Sequence, residues 1–270
     1  MQRVITAFAP LLALLLTLWP LPGAAGVLEE VVDRGTLRVG VSTFVPWTFR
    51  SVDGTLEGHE IDIVERIAGD IGVEAELVEV PFSEIMDRLN AGEFDMIAAG
   101  MAITPARAMQ IGFTQPYFFS GITLATNKSA TADLESLADV NSAEIKIAVV
   151  AETFSASLGA RLFDEAEIVA FDTADAAQAA VLSGEAPIYL ASEPEANFFA
   201  LENPDAIDVP LSEPLVRSSA GFGVRKDAHE WREFLNAWIV AREADLFLSS
   251  TYDFWFESIE WTARVGETDQ

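Results

Sequence analysis

The chain predicts an α/β fold of two lobes joined by a two-stranded hinge. Helix and strand patterns alternate along it, the alternation falls into two separate sets, and extended segments without a helix pattern flank the second set. Strands alternating with helices at this spacing build βαβ units. One α/β unit inserted between two extended crossings interrupts the other unit and leaves it joined by two strands. Half of the composition is apolar, enough to bury a large core in one large domain or two smaller ones.

The first set begins with a short amphipathic helix at 28–34 and a strand at 36–41. Asp53-Gly54 makes a turn between strand-like segments. Asp62 caps a helix running to 71, a strand follows at 74–80, and a helix at 82–90 is ended by Gly92. Residues 95–99 form a short buried strand, because Met96, Ile97, Ala98 and Ala99 are an apolar run bounded by glycines. Gly100 lets the backbone come close to a ligand. Thr104 is then an N-cap with Pro105 at the first helical position. Arg107 stands in that first turn, where a cation opposes the helix dipole. Beside free backbone N–H groups it makes an anion-binding corner, and spacing alone fits an ordinary surface arginine equally well.

The second set reads strand 146–150, helix 155–163, strand 167–171, helix 175–183 and strand 186–191. The extended crossings are 118–128 and 215–224, and helices at 230–243 and about 245–261 return to the first lobe. The resulting lobes are 26–124 with 219–270, and 125–218 inserted between them. A cleft between lobes is a favoured place for a small ligand.

Residues 1–25 read as a cleavable export signal: Arg3, an apolar run at 4–19, Pro20 and Pro22, then Gly23-Ala24-Ala25 as a cleavage site. The run is short for a membrane span, which needs ~20 residues. The expectation is a mature chain exported to the periplasm. There is no cysteine, so disulfide and thiol chemistry are excluded. The net charge is −27, and −28 once Arg3 leaves with the signal. Such a surface repels nucleic acid and anionic membranes. The charge is spread along the chain, as on a folded acidic surface suited to salt.

Catalytic signatures are sparse. His59 and His229 are the only histidines and lie far apart in sequence, which leaves a histidine base or a metal cluster without support. No Gly-x-Ser-x-Gly, Walker loop or dinucleotide fingerprint occurs. No cofactor and no metal is expected.

Six pieces in order between residues 35 and 117 carry a resemblance: GTLRVGV from Gly35, FVPWTF from Phe44, GHEIDI from Gly58, FSEI from Phe82 with LNAGEFD from Leu89, the 100–107 stretch, and GFTQPY from Gly112. The chain resembles the family-3 extracellular solute-binding proteins, the polar amino-acid receptors of ABC importers, over nearly its whole mature length. The resemblance implies a type II periplasmic-binding-protein flytrap, a monomer that closes on its solute by hinge motion and then meets a membrane permease. It implies that Arg107 grips a ligand carboxylate with its planar fork. Ala99 and Gly100 resemble the strand end whose backbone meets the ligand. Phe44 and Phe82 resemble aromatic walls around it, with Trp47 beside them.

The departures are as informative. Ala102 stands where the family usually has serine or threonine. Its Gly-Thr pair after the first strand of the second lobe reads Glu152-Thr153, and Ser192 stands where its amine-binding aspartate would be. An ammonium buried without an anionic partner costs several kcal/mol, on the order of a buried unpaired charge. Either Glu152 or Glu193 takes over as counter-ion, or the ligand lacks a primary ammonium. A delocalised or quaternary cation against Phe44, Trp47 and Phe82 fits the second case. The main expectation is a receptor for a small carboxylate-bearing solute, an amino acid or an amino-acid-like zwitterion, and not an enzyme. The alternatives are a periplasmic dehydratase of the cyclohexadienyl type with Glu152 as general acid, or a sensor or orphan binding module.

Overall fold

The protein is described by a computed structural model covering residues 26–265. The expected export signal lies outside the described residues. Among those described, no helix is long and apolar enough to cross a membrane.

The first sheet is built around β1 (Thr36–Val41), which pairs in parallel with β4 (Glu74–Glu79) and β5 (Met96–Ile97). β13 (Gly223–Val224) then joins β5 antiparallel, and β6 (Gly112–Phe113) closes the edge, giving the order β4-β1-β5-β13-β6. Leu37, Val39 and Val41 of β1 are fully buried, as expected of a strand covered by helices. α1 (Val27–Arg34), α2 (His59–Ile71) and α3 (Ile85–Asn90) pack on it. The Asp53-Gly54 turn joins β2 (Phe49–Arg50) to β3 (Leu56–Glu57), a separate antiparallel pair. Asp95, 1% exposed, accepts from the Arg38 main-chain N–H and from the Arg34 and Arg38 guanidinium groups, which fixes the start of β5.

The second sheet has the order β11-β7-β10-β8-β9, with β12 paired to β7. Its strands are β7 (Phe118–Asn127), β8 (Lys146–Val150), β9 (Glu167–Phe171), β10 (Ile188–Ser192), β11 (Ile207–Asp208) and β12 (Val216–Ala220). β8 runs parallel to β9 and β10, while β7 runs antiparallel to β10 and β12. β8 is apolar on both faces because each packs on a different cluster: Ile147 and Val149 on one, Ala148 and Val150 on the other. Ile188 and Leu190 of β10 share the first cluster, Tyr189 and Ala191 the second.

Several elements differ from their sequence expectations. The helix attributed to an Asp62 cap starts earlier, at His59, because Gly58 takes φ 133 and its missing side chain admits the Trp47 carbonyl. Asp62 lies inside the first turn and accepts from Trp255 Nε1 at 2.7 Å. α3 begins three residues later than expected, leaving Phe82 in the preceding turn. The C-terminal region has two helices in the expected order, α9 (His229–Ala244) and α10 (Phe247–Tyr252), but the second stops at Tyr252 in a π-helical turn at Asp253–Glu257 and does not run on to about 261. Leu246, at φ 66, makes the break. α9 packs on α1, and α10 on α2.

β7 and β12 are continuous strands of the second sheet over 118–127 and 216–220, so hydrogen bonding passes from one sheet to the other at 114–117 and 221–222. The expected boundaries at 124 and 219 cut both strands.

Candidate functional site

A cleft enclosing about 560 Å³, part of it open to solvent, lies between the two sheets. The structure brings nine of the ten expected residues to its lining: Phe44, Trp47, Phe82, Ala99, Gly100, Ala102, Arg107, Thr153 and Ser192. Glu152 is not among them.

The 100–107 loop is pinned to the end of the hinge. Ile103 N–H donates to Ser219 O at 2.8 Å, Gly221 N–H donates to Met101 O at 3.2 Å, and Ala102 bridges Ala220. Thr104 Oγ1 accepts from Arg107 N–H at 3.2 Å with Pro105 at the first position, so α4 (Pro105–Ala108) starts as a capped turn. Arg107 is 6% exposed. Its Nη1 donates to Ala102 O at 3.0 Å, and its Nη2 donates to Glu152 O at 2.8 Å, across the cleft. The guanidinium carbon also sits 5.2 Å from the Phe82 ring centroid. Burial pulls the arginine down to about 10, offset in part by the nearby charge of Glu152, so it stays cationic at neutral pH.

Gly100 is required twice over. Its φ is +55, and a Cβ there would lie 2.9 Å from Trp47 Cδ2. The space left by the missing side chain is therefore filled by the Trp47 indole. Trp47 is 5% exposed and packs on Phe118 at 4.3 Å, Phe256 at 5.0 Å and His59 at 5.5 Å between centroids. Phe44 meets Phe82 edge-on at 5.5 Å. Phe82 thus lines the cleft with the Arg107 guanidinium against its ring.

Behind Gly100 lies a buried carboxyl group. Glu60 Oε1 accepts from Gly100 N–H at 3.0 Å and from the Tyr117 hydroxyl. Burial raises Glu60 to about 7, against the pull of those two hydrogen bonds. His59 is buried beside it and is pushed down to about 3 by desolvation, so it is neutral and stands outside the cleft lining.

On the second lobe, Thr153 caps α6 (Phe154–Leu162): its Oγ1 donates to Val150 O at 2.7 Å and accepts from Ala156 N–H at 3.2 Å. Phe154 and Ser155 bring the start of that helix to the cleft. Glu152 requires a correction. It takes φ +61, is exposed, and offers the cleft its carbonyl and not its carboxylate. The left-handed turn points the main-chain oxygen at Arg107 and leaves the side chain exposed, outside the cleft lining but close enough for its charge to act on the guanidinium. Its carboxylate is therefore not on the lining, where the dehydratase reading needed a general acid.

After β10 the chain enters α8 (Glu193–Glu202), a helix with no counterpart among the sequence expectations, with Ser192 as its N-cap. Glu193, the other candidate counter-ion, lies over β7, its Oε2 2.8 Å from where a side chain on Gly121 would begin, and does not line the cleft. Glu195 does line it, and sequence reasoning missed it. The signal was present: Ser192-Glu-Pro-Glu195 has the S-x-x-E spacing of a capping box, and the structure forms one. Also missed were Phe118, Ser120 and Ile122 of β7, and Ser218, Ser219 and Ala220 of β12. Nothing in their extended pattern marks which of them face a ligand. Among the described residues, no group of three or more His, Cys, Asp or Glu side chains is placed to hold a metal ion.

Comparison with known proteins agrees with this architecture. The y4tE periplasmic-binding protein of Sinorhizobium fredii, whose name assigns it to amino-acid ABC transport, is 29% identical over 235 residues, 83% of this chain and 78% of that one. The cyclohexadienyl dehydratase of Pseudomonas aeruginosa is 20% identical over 241 residues, 89% of each chain. An ancestral arginine-binding protein bound to arginine superposes with a TM-score of 0.77 at 28% identity, covering 83% of this chain and 99% of that structure. The family model for bacterial extracellular solute-binding proteins, family 3, matches residues 37–258. With that match spanning both sheets and the cleft between them, the chain belongs to the bacterial extracellular solute-binding proteins, family 3.

Proposed function

We propose that this protein captures a single amino acid in the cleft and presents it, lobes closed, to the membrane permease of an ABC importer. The observation that carries the reading is the position of Arg107: a buried guanidinium that lines the cleft, with two of its N–H groups on main-chain carbonyls of opposite lobes. A guanidinium has five donors in a planar fork. The donors left over suit a carboxylate, and the contact with Glu152 O exists only when the lobes are together. A ligand that strengthens this arrangement favours the closed form, as differential binding requires.

The relatives named for arginine and for amino-acid transport support an amino-acid ligand. The likeness to a dehydratase is weaker, and the exposed Glu152 leaves the reading as a receptor the better supported one. The protein acts as a monomer in the periplasm, in this reading, with Phe44 and Phe82 as the walls against the ligand's carbon chain. Thermal-shift measurements with arginine, lysine, glutamine, histidine and prephenate at high salt test it, because a ligand that binds only the native state raises its stability. The expected result is a raised melting temperature with at least one amino acid and no turnover of prephenate. Turnover of prephenate, or no shift with any amino acid, overturns the reading.

A further inference from the structure

The cleft lining holds two charged side chains, Arg107 and Glu195. Arg107 has main-chain carbonyls to bind; Glu195 has no basic partner. Its carboxylate accepts from Ser192 N–H at 3.3 Å, from the Ser192 hydroxyl, and from the Tyr189 hydroxyl at 3.3 Å. Among the described residues, no lysine, arginine or histidine forms an ion pair with it. It is half-buried at the cleft wall, and burial raises its proton affinity against those hydrogen bonds. A buried carboxylate without a cation is costly to ionise, and a cation brought by a ligand removes that cost. The residue at the start of α8 cannot do this work, because Ser192 has a neutral hydroxyl that is turned onto Glu195.

We infer that Glu195 is the counter-ion for the cationic group of the ligand, so that the cleft selects solutes with a carboxylate for Arg107 and a cation for Glu195. This rests on the amino-acid reading above and specifies how the cation is held. The anion lies three residues inside α8, displaced from the helix start where the family resemblance places an aspartate.

A purely structural role is the competing account, since Glu195 is also the N3 member of a capping box. Glutamine serves in that box as well as glutamate does. Glu195→Gln therefore keeps the cap and removes the charge, and Glu195→Asp does the reverse.

The experiment is calorimetry on wild type, Glu195→Gln and Glu195→Asp. The probes are L-arginine, L-lysine, L-glutamine and L-histidine, each paired with the analogue lacking the α-amine. The expected result is that wild type binds at least one amino acid, that Glu195→Gln weakens it roughly 100-fold at a melting temperature no lower than that of wild type, and that Glu195→Asp weakens it less at a lower one. The analogue lacking the cation that Glu195 holds should bind wild type and Glu195→Gln alike.

Lowering the pH should weaken the wild-type complex and leave Glu195→Gln flatter, because a protonated Glu195 has no charge for the cation. The other titratable groups around Glu195 are Tyr189 on β10, with Asp175 on α7 (Ala174–Ser183) acting on that tyrosine, and Arg107 across the cleft. Glu60 titrates behind Gly100, and a Glu60→Gln background separates its part. Unchanged amino-acid affinity in Glu195→Gln overturns the inference and leaves the receptor reading in place. Failure of wild type to bind any of the four overturns the reading itself, and the inference with it.

Discussion

Arg107 Nη2 donates to the main-chain oxygen of Glu152 at 2.8 Å, joining the loop that leaves the first sheet to the turn that leaves β8. The arginine thus belongs to the ligand site and to lobe closure at once. Arg107→Ala should lower the affinity for the bound amino acid by about 2–5 kcal/mol, the range for removing one partner of a buried charge pair. Arg107→Lys should recover part of this, since a point charge replaces the planar fork. Calorimetry on both variants checks the order.

Glu152 contributes a carbonyl from a left-handed residue, which predicts that its side chain is dispensable. Glu152→Gly should stabilise the protein by about 1 kcal/mol, because the left-handed region costs a residue with a side chain roughly that much. It should keep the affinity for ligand within a few-fold. Chemical denaturation and titration of the same variant test both halves. A loss of binding comparable to that of Arg107→Ala would show that the carboxylate matters after all.

The Gly100–Trp47 contact predicts a coupled pair. Gly100→Ala places a Cβ 2.9 Å from the indole at φ +55, and should destabilise by about 1–3 kcal/mol from overpacking, in addition to backbone strain. Trp47→Phe on the same background should recover the overpacking part and leave the strain. A double-mutant cycle with no coupling energy would separate the two residues.

Glu60 and His59 make opposite contributions to stability across pH. Glu60 is raised from 4.5 to about 7 in the fold. Its favourable contribution is fully present below about pH 4.5 and is lost as pH rises through about 7. His59 is lowered from 6.5 to about 3, so its contribution is present above about pH 6.5 and lost as pH falls through about 3. Glu60→Gln keeps an acceptor for Gly100 and Tyr117 while removing the ionisation. The melting temperature of this variant relative to wild type should rise between pH 5 and pH 8; a constant difference would place the Glu60 ionisation elsewhere.

A net charge of −27 predicts that added sodium chloride stabilises the protein. Screening shortens from ~10 Å at 0.1 M to ~3 Å at 1 M, which weakens repulsion among surface carboxylates. A melting temperature that does not rise over this range would remove self-repulsion as a factor.

Much of the fold was legible because its signals are local. The 36–41 strand, the Thr104-Pro105 helix start and the 167–171 strand lie where period and cap chemistry place them. The start of α2 was not legible, since it depends on a backbone conformation at Gly58 that the neighbouring residues do not announce. Trp47 shows the same limit within the site. Its size and neighbours suggest an aromatic wall, while its main packing is against His59, Phe118 and Phe256, residues distant in sequence.

By itself, the sequence determined the order of elements, the two α/β sets, and an arginine in the first turn of a helix beside a glycine-bounded strand. Periodicity and capping act over a few residues, so they can be read in one dimension. Only the tertiary structure decided which acidic residue meets the cleft. Glu152 and Glu193 are the sequence candidates in an acid-rich chain, and Glu195 is not among them. The left-handed turn at Glu152 leaves its side chain exposed and off the cleft lining, and the helix beginning at Glu193 brings Glu195 onto that lining. A side chain's direction follows from backbone torsions and packing, and those are settled only when the lobes are assembled.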